Sequence, residues 1–145
     1  MDLKEVEKLT VRKFSEAFKH LTFNVEFAPD KSFIEFRFDA VKITGLNSEV
    51  YIALACGSTG VAMFTMLFPK LKRNLTTLTD VNNFNLHTST FKAFLDGSGY
   101  LMLENAFPIY TEQEFVDQAL EFISRTNNLP DNPYIVKVLT NKVDA

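Results

Sequence analysis

The run Asp96-Gly97-Ser98-Gly99 combines a carboxylate, a hydroxyl and two glycines, the parts of a calcium loop. An EF-hand loop places oxygen ligands at positions 1, 3 and 5, a glycine at 6 and a bidentate carboxylate at 12. With Gly99 at position 6, Asp96 falls at 3 and Ser98 at 5, but Phe94 falls at 1 and Asn105 at 12, so two demanding ligand positions are lost. The flanks, Phe91 to Leu95 and Tyr100 to Phe107, are rich in strand formers. The same four residues fit a hairpin turn in which glycine takes positive φ and the aspartate bonds its own backbone.

Nucleophilic chemistry would rest on Cys56, and proton transfer on His20 or His87, the two histidines of the chain. A nucleophile needs a base and an orienter within reach. Cys56 ends an apolar run that reads as a central strand, where a buried, inert thiol is expected. His20 closes the first helical pattern and His87 follows the second, so surface or capping roles are expected for both. No HxxH, CxxC or HExxH spacing offers zinc a site. Cys56-Gly57-Ser58-Thr59-Gly60 has the composition of a phosphate cradle, but it lacks the lysine and precedes a strand rather than a helix. Glu112 and Glu114 belong to a helix first turn, where carboxylates suit the dipole. No catalytic, cofactor or metal residue is therefore assigned.

The elements around these groups follow from periodicity. Leu3, Val6, Leu9, Phe14, Ala17, Phe18 and Leu21 line one stripe of a helix over 2–21, with Asp2 as cap and Glu5 as its reciprocal partner. Period-two alternation follows in Phe23, Val25, Phe27 and again in Ile34, Phe36, Phe38, separated by Pro29-Asp30-Lys31-Ser32, the first run fitting an extended lead-in as well as a strand. Gly45-Leu46-Asn47-Ser48 then turns the chain into EVYIALAC, and CGSTG into GVAMFTMLF, both apolar on two faces as strands covered on both sides would be. Residues 75–86 carry Leu75, Leu78, Val81, Phe84 and Leu86 at helical spacing among threonines and asparagines, so this weak helix depends on packing, with Asn82, Asn83 and Asn85 terminating it. Hairpin strands are expected near 88–95 and 99–107, ended by Pro108. Thr111 and Glu114 form a second capping box, with Tyr110 stapled on Phe115, for a helix to about Arg125. The expected fold is one α+β domain, 1–126, with a mostly antiparallel sheet of about five strands in the order α-β-β-β-α-β-β-α. A tail, 127–145, fits either a short helix behind Asn132 and Pro133 or a strand at Tyr134-Ile135-Val136.

Composition narrows the function. A chain of 145 residues with 46% hydrophobic content and fifteen phenylalanines holds ample core material for one domain. Its net charge of -3 disfavours nucleic acid and anionic membranes, although Lys70, Lys72 and Arg73 form a local basic run. One cysteine forms no internal disulfide, and the start of the chain lacks an apolar leader, so a cytoplasmic protein is expected.

The weak helix ending VNNFNL, the DGSG hairpin tip, the Ala-Phe-Pro strand exit and the capped TEQEFVDQALEFIS helix resemble the YbjN-like family of sensory transduction regulators. The resemblance covers most of residues 2–126 and implies the fold of type III secretion chaperones, proteins that dimerise and hold client segments on apolar patches. It carries no catalytic residue onto this chain. The expectation is a non-enzymatic protein-binding, adaptor or chaperone-like regulatory domain that forms a homodimer. Phe23, Phe27, Tyr51, Met63 and Met66 are the candidate exposed groups for a protein partner. The alternative is a small-ligand-binding or enzymatic domain with a Phe-lined pocket between sheet and helix.

Overall fold

The computed structural model describes residues 1–46, 48–88 and 90–143, without the side chain of Ala40. Asn47 of the expected turn, Ser89 of the expected hairpin strand and the last two residues of the tail lie outside the described residues. The elements are α1 (Leu3–Ala17), β1 (Phe23–Phe27), β2 (Phe33–Ile43), β3 (Ser48–Gly57), β4 (Val61–Lys70), α2 (Leu75–His87), β5 (Lys92–Leu95), β6 (Tyr100–Pro108), α3 (Glu112–Thr126), a short 3-10 turn (Leu129–Asp131) and α4 (Pro133–Leu139). The α+β class stands, but four strands rather than three precede α2, and the sheet has six strands rather than five among the described residues. The first aromatic run is a true strand: β1 pairs with β2 over all five of its residues, from Phe23 opposite Phe38 to Phe27 opposite Ile34.

The sheet is antiparallel throughout, in the order β1-β2-β3-β4-β6-β5. Its ladder shifts register between Phe38 and Val41, and again between Leu67 and Lys70. The second shift contains Pro69, which has no N–H to give to a ladder.

One face of this sheet is the core. Ile34, Phe36, Phe38, Ile52, Leu54, Cys56, Ala62, Phe64, Met66, Phe68, Leu101 and Leu103 are buried there, alternating with outward residues as the pleat requires. Helix α1 contributes Leu3, Val6, Thr10 and Phe14, and Phe14 meets the rings of Phe18, Phe23, Phe36 and Phe38 at 5.3 to 5.9 Å. Helix α3 lies beside α1 and sets Phe115 and Phe122 against Phe64. A buried Phe in such a cluster stabilises by about 3–5 kcal/mol relative to Ala.

The helix ends follow local rules with one tertiary exception. The Asp2 carboxylate accepts from the N–H groups of Lys4 and Glu5. Its own N–H is taken by Glu112 Oε1 at 2.9 Å rather than by Glu5, which ties the start of α1 to α3 and holds the Glu112 carboxyl below its ordinary pKa. Thr111 Oγ1 accepts from Glu114 N–H, as expected, while Glu114 reaches back to the N–H of Tyr110. Tyr110 is exposed, so the expected staple on Phe115 is absent. Helix α1 ends at Ala17, which leaves His20 beyond it, exposed, in the turn before β1.

The residues after 127 form a helix, with Asn132 Oδ1 accepting from Tyr134 and Ile135 N–H. Helix α4 buries Ile135, Val138 and Leu139 and packs on α2.

Candidate functional site

All four helices contribute to the core on the inner face, and the outward face of the sheet carries no helix among the described residues. The outward residues along the middle of the two central strands are uncharged: Tyr51, Ala53, Ala55 and Gly57 on β3, and Val61, Met63, Thr65, Leu67 and Pro69 on β4, with the exposed Glu49 near the start of β3 and Lys70 at the end of β4. Tyr51 is 49% exposed and Met63 is 42% exposed, with Val61, Phe33 and Phe94 exposed around them. Soluble monomers seldom leave a contiguous apolar patch of this kind open. Charge enters at the ends of these two strands, at Glu49 and Lys70, and on the flanking strands. One row across the sheet reads Lys92, Glu104, Thr65, Ala53, Arg37, Asn24, each residue opposite the next. Arg37 pairs with Glu35 on its own strand and lies 3.9 Å from Glu26, and Glu35 holds its guanidinium above the ordinary pKa. Glu104 is half-buried and has no ion pair among the described residues.

Of the expected partner-binding residues, Tyr51 and Met63 stand on this face. Met66 does not: it is 1% exposed and points into the core. The reason is strand parity, since residues three apart on a strand face opposite sides. Phe23 and Phe27 also turn inward, half-buried against the core, with the Phe23 ring 5.6 Å from Phe14 and 5.5 Å from Phe38.

The groups that could do chemistry are held apart. Cys56 is buried on the core face, and burial pushes its thiol up to about 11. His87 stacks on Tyr134 of α4 at 4.2 Å and 7°, with Nδ1 2.8 Å from the Asn83 carbonyl oxygen. The Asp96 carboxylate is spent on its own turn, accepting from Ser98 N–H at 2.8 Å and Tyr100 N–H at 3.0 Å, while Gly99 takes φ of 91°. DGSG is thus a hairpin tip. The basic run packs along it: Lys70 lies over the Tyr100 ring and Arg73 donates to the Gly97 carbonyl. Among the described residues no three His, Cys, Asp or Glu side chains converge as a metal site.

Among the surface concavities, two adjoin α3 and α2. A small pocket lies between the sheet and α3, walled by Phe64, Phe91, Phe107 and Phe122 with Asn105 and Arg125 at its polar side. Arg125 is paired with Glu121 one turn earlier. A wider groove runs between α2 and β5, where Leu75 and Leu78 face Phe94.

Sequence reasoning missed the residues that tie α2 down. The helix continues to His87, so Asn85 does not terminate it. Its carboxamide instead accepts from Ala93 N–H at 2.7 Å and donates to the Ala93 carbonyl at 2.9 Å. That is the hydrogen-bond pattern of a neighbouring strand, presented by a side chain to the free edge of β5. Asn141 donates to the buried Asp80 carboxylate at 2.8 Å, joining the end of the chain to α2. Periodicity carries no signal for either contact, because both partners are polar and distant in sequence.

No family model, curated protein or solved structure matches the chain. Among the described residues no helix is long and apolar enough to cross a membrane.

Proposed function

We propose that this chain is a non-enzymatic, cytoplasmic protein-binding domain, adaptor or chaperone-like, of the YbjN type and with the secretion-chaperone kind of fold, which works by covering its sheet with another polypeptide. The observation that carries this reading is the open outward face of β3 and β4, uncharged from Tyr51 to Gly57 and from Val61 to Pro69, with Tyr51 and Met63 exposed on it. The burial of Cys56, the exposed position of His20 in a turn and the stacking of His87 on Tyr134 support the non-enzymatic half. Binding of an apolar dye combined with light scattering tests the proposal. The chain should associate or bind the dye, and Met63→Glu should weaken both. A strict monomer at high concentration that binds no dye contradicts it.

The pocket under α3 supports a second reading, a small-ligand site. Four phenylalanine walls with an amide and a guanidinium at one side suit an aromatic or short acyl group carrying a polar head. A metabolite that raises the melting temperature in wild type but not in Phe122→Trp, which fills the pocket, would favour it.

A further inference from the structure

We propose that the polypeptide seated on the outward sheet face is a second copy of this chain, related by a twofold axis that runs parallel to the strands between β3 and β4. This rests on the protein-binding reading above and names its first partner. The two central strands are unequal. In two neighbouring rows the outward positions of β3 carry the small residues Ala53 and Ala55, and those directly opposite on β4 carry the bulkier Thr65 and Met63, while the next row sets Tyr51 of β3 opposite Leu67. A twofold along the strands lays β4 of one copy over β3 of the other and keeps each row in register. Met63 then enters the space above the partner copy's Ala55, and Thr65 the space above its Ala53. A twofold across the strands would instead stack β4 on β4 and β3 on β3, so that Met63 and Thr65 meet each other and Ala53 and Ala55 face one another across a gap. Interdigitation of unlike sizes is how facing sheets pack, about 10 Å apart and about 30° from parallel.

The same operation settles the charges. Arg37 and Glu104 belong to one row and stand one strand outside β3 and β4 respectively. The axis between β3 and β4 therefore brings Glu104 of each copy over Arg37 of the other, twice. Glu104, half-buried with no ion pair among the described residues of its own chain, gains a cation. At a strand spacing of about 4.8 Å these residues lie roughly 7 Å from the axis, so a 30° crossing displaces them by roughly 4 Å, within the reach of an arginine side chain. The outward area of β2, β3, β4 and β6, four strands by about 25 Å, gives roughly 500 Å² of flat footprint per copy and more once side-chain relief is counted. That is the low end for a specific interface, so the dimer comes apart on dilution.

Sedimentation equilibrium of the full chain and its variants over a wide concentration range tests this, with circular dichroism to show that each variant is folded. The wild type should be a reversible dimer, and Met63→Glu should be a folded monomer over the same range. Glu104→Arg and Arg37→Glu should each weaken association at least about tenfold by setting like charges together, and the double variant should recover to within about threefold of wild type. A dimer indifferent to Met63→Glu, or single charge reversals whose effects add without recovery, overturns the twofold. A monomer that still binds apolar dye through Met63 overturns the second copy and leaves the protein-binding reading standing. A monomer without dye binding overturns both.

Discussion

Asn85→Ala is expected to destabilise the fold by about 1.5–2.5 kcal/mol although Asn85 lies on a helix where alanine is the better residue. The two bonds from its carboxamide to Ala93, at 2.7 and 2.9 Å, are the only neighbours that the outward N–H and C=O of this buried edge residue have among the described residues. Each bond contributes about 1 kcal/mol net, and each orphaned backbone group adds a desolvation penalty of up to about 1–3 kcal/mol where water cannot reach it. Against this, Ala gains about 0.5 kcal/mol of helix propensity over Asn. Taking a partly hydrated edge, the loss of roughly 2–3 kcal/mol minus that gain gives the stated range. Urea unfolding should show a lower midpoint with an unchanged slope, and thermal melting should fall by about 2–4 °C per kcal/mol. Asn85→Asp separates the two bonds: its carboxylate still accepts from Ala93 N–H but repels the Ala93 carbonyl, so it should be at least as damaging as alanine despite its similar size. Amide exchange at Ala93 should quicken in both variants. A change below about 0.5 kcal/mol with Ala93 exchange unaltered would refute the edge-capping role.

Three further outcomes follow from buried groups. Asn141→Ala removes the donor to Asp80 and should cost about 1.5–3 kcal/mol, the usual range for a bond to a charged group; amide exchange should show α4 loosening before the sheet. On the inward stripe of α1 Thr10 buries a hydroxyl that has no hydrogen-bond partner among the described residues, so Thr10→Val should raise stability by about 1 kcal/mol in urea melts. The Cys56 thiol, raised by burial from 9.0 to about 11, keeps its proton in the folded chain where the unfolded chain has lost it. Stability relative to a Cys56→Ala control should therefore be full below pH 9 and fall by about 2–3 kcal/mol as pH rises past 11; the thiol should also resist alkylation until the chain unfolds.

Much of the fold is legible because local signals and tertiary packing agree. The spacing of Leu3, Val6 and Phe14 sets α1, and α2 forms despite its threonines and asparagines because Val81 and Phe84 are buried in the common core. The DGSG tip is readable since its turn chemistry is complete within five residues. Strand count is harder, because five alternating residues such as Phe23 to Phe27 look alike whether they pair or merely lead into a pair; only the β2 ladder decides. The site was half legible. Residue type marks Tyr51, Met63 and Met66 alike as apolar, and in segments with both faces apolar the phase of the pleat is invisible until the register is known. Asn85 and Asn141 were unreadable for a different reason: what they satisfy is backbone or carboxylate on another element.

The outward sheet face as the surface another polypeptide covers is tested most directly by hydroxyl-radical footprinting of the wild-type chain across a dilution series. Met63 and Tyr51 should be shielded when the chain is concentrated and become reactive on dilution, while the exposed Leu75, Leu86 and Tyr110 react equally throughout. Met63 and Tyr51 reacting alike at every concentration, with shielding appearing on the α2 leucines instead, would contradict the account.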